Sequence, residues 1–155
     1  MRGPLAILPV LAIGLTTPAF AQDAASAAKE ACENYNTLGA TGDAAKLVNS
    51  FYAERAMFIG PVPVAGILIG RDAIEKNYAA AFQTFKSFSA TCENAMALNE
   101  STVLVSGHWT GTPKDPSGSP TKGSFGITFI NEGGKWLAAM DSWNIDLPPA
   151  PTKTQ

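Results

Sequence analysis

The chain has 155 residues, 46% of them apolar and 15% charged, with a formal net charge of −2. That length suits one domain, and the charge content is too low for a solvated, disordered chain. Mild acidity gives no electrostatic footing on nucleic acid. One histidine and two cysteines leave almost no material for a zinc site of the usual kind, so no metal is expected; no cofactor is expected either.

Residues 1–21 read as a secretory signal peptide. Arg2 supplies the charge, Leu5 to Leu15 the apolar stretch, and Thr16 to Ala21 the small residues before cleavage after Ala21. The apolar run is short of the ~20 residues that a membrane span needs. The product is therefore expected to be secreted or periplasmic, with no membrane attachment after cleavage. In an oxidising compartment Cys32 and Cys92 are a disulfide candidate; the alternative is two small buried thiols.

A helix is expected over Ala24 to Leu38, with Ala25, Ala28, Cys32 and Tyr35 on one face and Gly39 as its stop. Asp43 caps a second helix whose stripe is Leu47, Val48 and Phe51. Ala56 to Ile59 reads as a strand ended by Gly60-Pro61, and Pro61 to Gly70 as a packed loop. Asp72 opens a third helix, with Ile74, Tyr78, Ala81, Phe82 and Phe85 at helical spacing.

From Ser87 the period changes to two. Phe88, Ala90, Cys92, Met96 and Leu98 share a face that only Asn94 interrupts. A turn at Asn99 to Ser101 leads into a strand over Thr102 to Thr112, then an exposed Pro/Gly loop to Gly123. Ser124 to Ile130 and Lys135 to Ile145 form two further strands around the hairpin signal Asn131-Glu132-Gly133-Gly134. The tail 148–155 has three prolines and should be frayed. Helices first and strands last argue for α+β architecture in one domain, 22–147.

No GxGxxG, P-loop, HExxH, CxxC or GxSxG motif is present. Chemistry must come from residues that converge in a pocket. On the last strand Leu137, Ala139, Asp141, Trp143 and Ile145 alternate onto one face, with Asp141 its single charge. A carboxylate on a covered face must be paired, protonated or beside water. It serves either as an acid/base or ligand anchor, or as a structural acceptor for a backbone group or a tyrosine. Trp109 falls in the inward row with Val103, Val105 and Gly107, so His108 faces the opposite side and suits a surface or interface better than a catalytic base. A bulge at Gly107 would reverse that. Tyr35 and Tyr78 lie on inward stripes and need hydroxyl partners.

These elements resemble the cone-shaped superfamily of nuclear transport factor 2, ketosteroid isomerase and the SnoaL-like polyketide cyclases. The residues that carry the resemblance are Thr41-Gly42-Asp43, Phe51 to Ala56 leading to Gly60-Pro61, Gly70-Arg71-Asp72-Ala73-Ile74, and Gly134 to Leu137 with Asp141-Ser142-Trp143. The resemblance implies three helices on one face of a strongly curved, mainly antiparallel sheet. It puts the isomerase's oxyanion-donating tyrosine on Tyr35 and its supporting tyrosine on Tyr78. The isomerase's general base falls on Gly60 and its second oxyanion acid on about Gly126, so ketosteroid isomerisation is not expected. SnoaL-like cyclases use a pocket carboxylate, a part that Asp141 fits. The Asp–Arg–Asp set of limonene-epoxide hydrolases would need Arg55 or Arg71, which sit at element ends. The His–Asp pair of scytalone dehydratases would need His108.

The expected function is an exported, SnoaL-like domain that binds a small apolar molecule. Tyr35, Phe58, Tyr78, Trp109, Asp141 and Trp143 would line its pocket, with Met57 near the mouth. The alternatives are a lyase, isomerase or cyclase with Asp141 as acid/base and Tyr35 polarising a carbonyl, and a homodimeric interaction module that uses the outer sheet face.

Overall fold

A computed structural model describes residues 19–146, with side chains from Ala24 onward. The expected leader, 1–21, lies outside the described residues except for the backbone of its last three. The tail 148–155 lies outside them altogether.

Helices α1 (Ala19–Gly39) and α2 (Ala44–Phe51) precede β1 (Tyr52–Gly60) and β2 (Gly66–Ile69). Helix α3 (Arg71–Thr84) then leads into β3 (Phe85–Asn99), β4 (Thr102–Pro113), β5 (Thr121–Glu132) and β6 (Lys135–Trp143). The strand order is β2-β1-β6-β5-β4-β3. Every neighbouring pair is antiparallel except β1 with β6. The fold is α+β, with the three helices packed against one face of the curved sheet.

Local chemistry accounts for several element ends. The Asp43 side chain accepts from the Lys46 N–H at 2.9 Å and caps α2. Helix α2 passes into β1 with no loop: the Tyr52 N–H still bonds to the Val48 carbonyl while its own backbone is extended. Gly133 and Gly134 turn the last hairpin at φ 61° and 85°, a conformation open to glycine at little cost. No described helix is long and apolar enough to cross a membrane.

The structure differs from the sequence reading at five points. The segment expected to be a loop contains β2, an edge strand that pairs with β1 from Met57–Ile69 to Gly60–Gly66. The first strand begins at Tyr52 rather than Ala56. On α1, Ala25 is exposed, and the buried face is Ala24, Ala27, Ala28, Ala31 and Leu38.

Two bulges account for the rest. On β3 the register shifts between Cys92 and Asn94, inserting Glu93 opposite Gly107 and Ser106. This reverses the alternation, so Ala97 turns inward while Met96 and Leu98 are exposed. The chains approach closely here: a Cβ on Gly107 would strike the Thr91 carbonyl. On β6, Thr128 pairs with Met140 but Phe129 with Ala138, leaving Ala139 unpaired. Ala138, not Leu137 or Ala139, therefore shares the buried face with Asp141.

The core lies between the helices and the concave sheet face, where Leu47, Val48, Phe51, Tyr52, Ile74 and Phe129 are buried. Cys32 and Cys92 are joined in a disulfide, with Cα atoms 6.1 Å apart, which ties α1 to β3. One helical turn on, Asn36 donates to the Ala90 carbonyl at 3.0 Å and accepts from its N–H at 2.6 Å. The disulfide and this side chain cover part of an edge strand that would otherwise offer unpaired backbone.

Candidate functional site

Between α1, α3 and the concave face lies a cavity of about 270 Å³. Tyr35, Phe58, Tyr78, Trp109, Asp141 and Trp143 all line it, and so does the disulfide. Met57 does not: it alternates with inward Phe58 and sits on the outer sheet face. The remaining wall is almost wholly aromatic and aliphatic, and Asp141 is the only formally charged lining residue.

Asp141 is held by a chain of hydroxyls. The Tyr52 hydroxyl donates to Asp141 Oδ2 at 2.6 Å. The Tyr78 and Tyr52 hydroxyls are 3.0 Å apart, and those of Tyr35 and Tyr78 3.2 Å. Each hydroxyl has a single hydrogen. With that of Tyr52 given to Asp141, Tyr78 must donate to Tyr52, and Tyr35 to Tyr78. The direction Tyr35→Tyr78→Tyr52→Asp141 follows from counting alone.

That direction bears on the role expected of Tyr35. While Asp141 is ionised, the hydrogen of Tyr35 is committed to Tyr78, and Tyr35 offers the cavity only lone pairs. When Asp141 is protonated the chain can reverse, which frees that hydrogen for a ligand carbonyl.

Burial pushes the Asp141 pKa up to about 7, partly opposed by the hydrogen bond from Tyr52. Burial also raises all three tyrosines, and the Asp141 charge adds to each rise. The strands beside Asp141 place Phe58 and Ile127 in register with it, so neither offers a counter-charge.

Tyr52 escaped the sequence reading, which began the strand at Ala56. The available signal was parity: Tyr52 falls on the same alternate positions as Ala56 and Phe58, all three of them buried. Exposed Glu54 breaks that row, where the pairing of β1 with β6 is irregular.

The position that the resemblance assigned to a general base is filled by an indole. A Cβ built on Gly60 would lie 2.6 Å from two ring carbons of Trp143 and 2.8 Å from its Nε1. Trp143 packs edge-on to Trp109, ring centres 5.4 Å apart, and Trp109 Nε1 donates to the Asn144 carbonyl at 2.9 Å. Trp143 Nε1 is buried without a hydrogen-bond partner. Gly126 is not a cavity position: it lies between inward Phe125 and Ile127, with open space where a Cβ would sit.

His108 lies on the outer face, its Nε2 3.5 Å from Glu93 Oε2, because the bulge is on β3 and the pairing of β4 with β5 is unbroken. Arg71 donates through Nε and Nη2 to the Tyr52 carbonyl at 2.8 and 2.6 Å, locking the α2–β1 junction. Arg55 is exposed. Neither arginine lines the cavity, so no Asp–Arg–Asp or His–Asp set forms around Asp141. Among the described residues no group of three His, Cys, Asp or Glu side chains is placed to hold a metal ion.

The SnoaL-like domain family matches residues 32–139, well over half of the chain. A comparison with curated proteins matches none of them. Solved structures share the fold at low identity. A ketosteroid isomerase-like protein from Erwinia carotovora atroseptica SCRI1043 is 16% identical with a TM-score of 0.67, covering 79% of this chain and 96% of its own. A nuclear transport factor 2-like protein of unknown function from Shewanella oneidensis MR-1 is 16% identical with a TM-score of 0.64, covering 77% and 98%. A candidate scytalone dehydratase from Novosphingobium aromaticivorans DSM 12444 is 15% identical with a TM-score of 0.64, covering 79% and 84%.

Proposed function

The chain belongs to the SnoaL-like domain family of the nuclear transport factor 2-like superfamily, and on that premise we propose that it is an exported protein that binds a small, largely apolar molecule. The observation that carries this reading is the aromatic cavity of about 270 Å³ with a single carboxylate in its wall. Apolar walls with a few placed polar groups are the usual make-up of ligand sites. Native mass spectrometry of the purified protein should find a small molecule that leaves on unfolding. A protein that carries none, and whose cavity takes up no apolar probe, would overturn the reading.

A second reading is catalytic. A carboxyl pushed to about 7 can take or give a proton near neutral pH, which suits Asp141 as the acid/base of a lyase, isomerase or cyclase. Asp141→Asn would then keep the fold and abolish turnover of the substrate. Ketosteroid isomerisation is not part of this proposal, since Gly60 is pressed against the Trp143 indole.

A third reading concerns the outer sheet face. Ile69, Met57, Met140, Thr128, Leu104 and Met96 pair in register across all six strands. Four of the six are exposed apolar side chains, a patch that favours association with a second copy. Light scattering should show a dimer that dissociates in His108→Asp.

A further inference from the structure

We propose that the molecule bound in this cavity is a protonated amine on a flat apolar body, its ammonium group set against Asp141 and faced by the surrounding rings. This rests on the binding reading above and narrows it to one ligand class.

The argument begins with charge balance. A buried carboxylate is stable only with a counter-charge or enough hydrogen bonds. Asp141 is 5% exposed, and no lysine, arginine or histidine lines the cavity with it. The only ion pairs between described side chains, Lys29–Glu33 and His108–Glu93, lie elsewhere on exposed side chains. Tyr52 on β1 engages Oδ2, and behind it stand Tyr78 on α3 and Tyr35 on α1. From β1 and β6's other neighbour, β5, come Phe58 and Ile127, which carry no charge. Among the described residues the one side-chain hydrogen bond that Asp141 accepts is at Oδ2.

The hydroxyl chain sharpens the requirement. Its separations shorten from 3.2 to 3.0 to 2.6 Å toward Asp141. The last is a short bond of the kind a hydroxyl makes to a carboxyl oxygen. While Asp141 is ionised, every hydroxyl hydrogen is spent in that direction, and Asp141 with its hydroxyl chain presents acceptors to the cavity. A ligand that meets the ionised carboxylate brings the donor.

A neutral hydroxyl would bring one hydrogen but leave the charge uncancelled, and by displacing water it would drive Asp141 to its protonated form. An ammonium brings three donors and a compensating charge. The rings of Tyr35, Phe58, Tyr78, Phe88, Trp109 and Trp143 surround the same space, and aromatic faces attract cations. A volume of about 270 Å³ is just under the roughly 300–1,000 Å³ of drug-sized sites, so the body is small, of one or two rings.

The test uses the full-length oxidised protein and two probes with one carbon skeleton, 2-phenylethylammonium and 2-phenylethanol, titrated by calorimetry. At about pH 8 the ammonium should bind at least about tenfold more tightly than the alcohol. The preference should fade as the pH is lowered through about 7, as Asp141 gains its proton. Asp141→Asn should remove the preference and keep alcohol binding; if that variant does not fold, the pH dependence of the parent decides. If the alcohol binds as tightly as the ammonium or more tightly at about pH 8, the cation assignment fails and the apolar-ligand reading stands. If neither probe binds and no small molecule co-purifies, both fail.

Discussion

Asp141→Asn should make the protein more stable above neutral pH, and by an amount that the structure sets. The folded protein holds the Asp141 proton with a pKa of about 7, against an ordinary 3.8. Because the folded state binds that proton more tightly than the unfolded chain does, the stabilisation is complete below 3.8 and is lost as the pH rises through about 7. At about 1.4 kcal/mol per pKa unit the loss is about 4 kcal/mol, a large share of a small domain's stability. Asparagine cannot ionise, and its amide oxygen can still accept from Tyr52, so the variant should lack this slope. Urea unfolding of the oxidised protein at about pH 4.5, 6 and 8 reads it directly. Between pH 4.5 and 8 about 3 kcal/mol of that loss falls due, so with slopes of about 1–3 kcal/mol/M for small proteins the parent midpoint should fall by roughly 1–3 M while that of the variant barely moves. Asp115 has the opposite sign: hydrogen bonds from Ser117 hold its carboxyl below the usual value. Its stabilisation is lost only as the pH falls further, outside the window in which Asp141 titrates. A parent midpoint that stays level or rises toward pH 8, or a variant less stable than the parent there, would refute the account of Asp141 as a carboxylate held against its desolvation.

Other perturbations test the neighbouring contacts. Tyr52→Phe removes the 2.6 Å bond to Asp141 and should destabilise by about 1.5–3 kcal/mol where Asp141 is ionised and less where it is not; it should also raise the Asp141 pKa, read by carboxyl carbon NMR. Gly60→Ala drives a methyl into the Trp143 ring and should destabilise by about 1–3 kcal/mol; an unchanged urea midpoint would argue against that packing. Reducing Cys32–Cys92, which closes a span of 60 residues, should lower stability by about 2–4 kcal/mol and loosen α1 against β3, seen as faster amide exchange in α1.

The sequence by itself determined the features that rest on local chemistry. The stripe Leu47, Val48 and Phe51, the Asp43 cap, the glycine turn at 133–134 and the succession of helices then strands are each encoded within a few residues. Strand parity also placed Trp109 in the cavity and His108 outside it, because β4 runs against β5 without a break. The tertiary structure decided whatever depends on register between distant strands. The bulge at Glu93 turns Met96 and Leu98 outward, and the one at Ala139 puts Ala138 beside Asp141; an alternation pattern carries no mark of where an extra residue will be inserted. β2 exists only because Met57 to Gly60 offers it an edge. The bond from Tyr52 to Asp141 spans 89 positions, and the direction of the hydroxyl chain follows from three such contacts together. Residue types marked Asp141 as the site's one charge; only the folded neighbours, through burial without a counter-ion and a single donated hydrogen, decided how that charge is held.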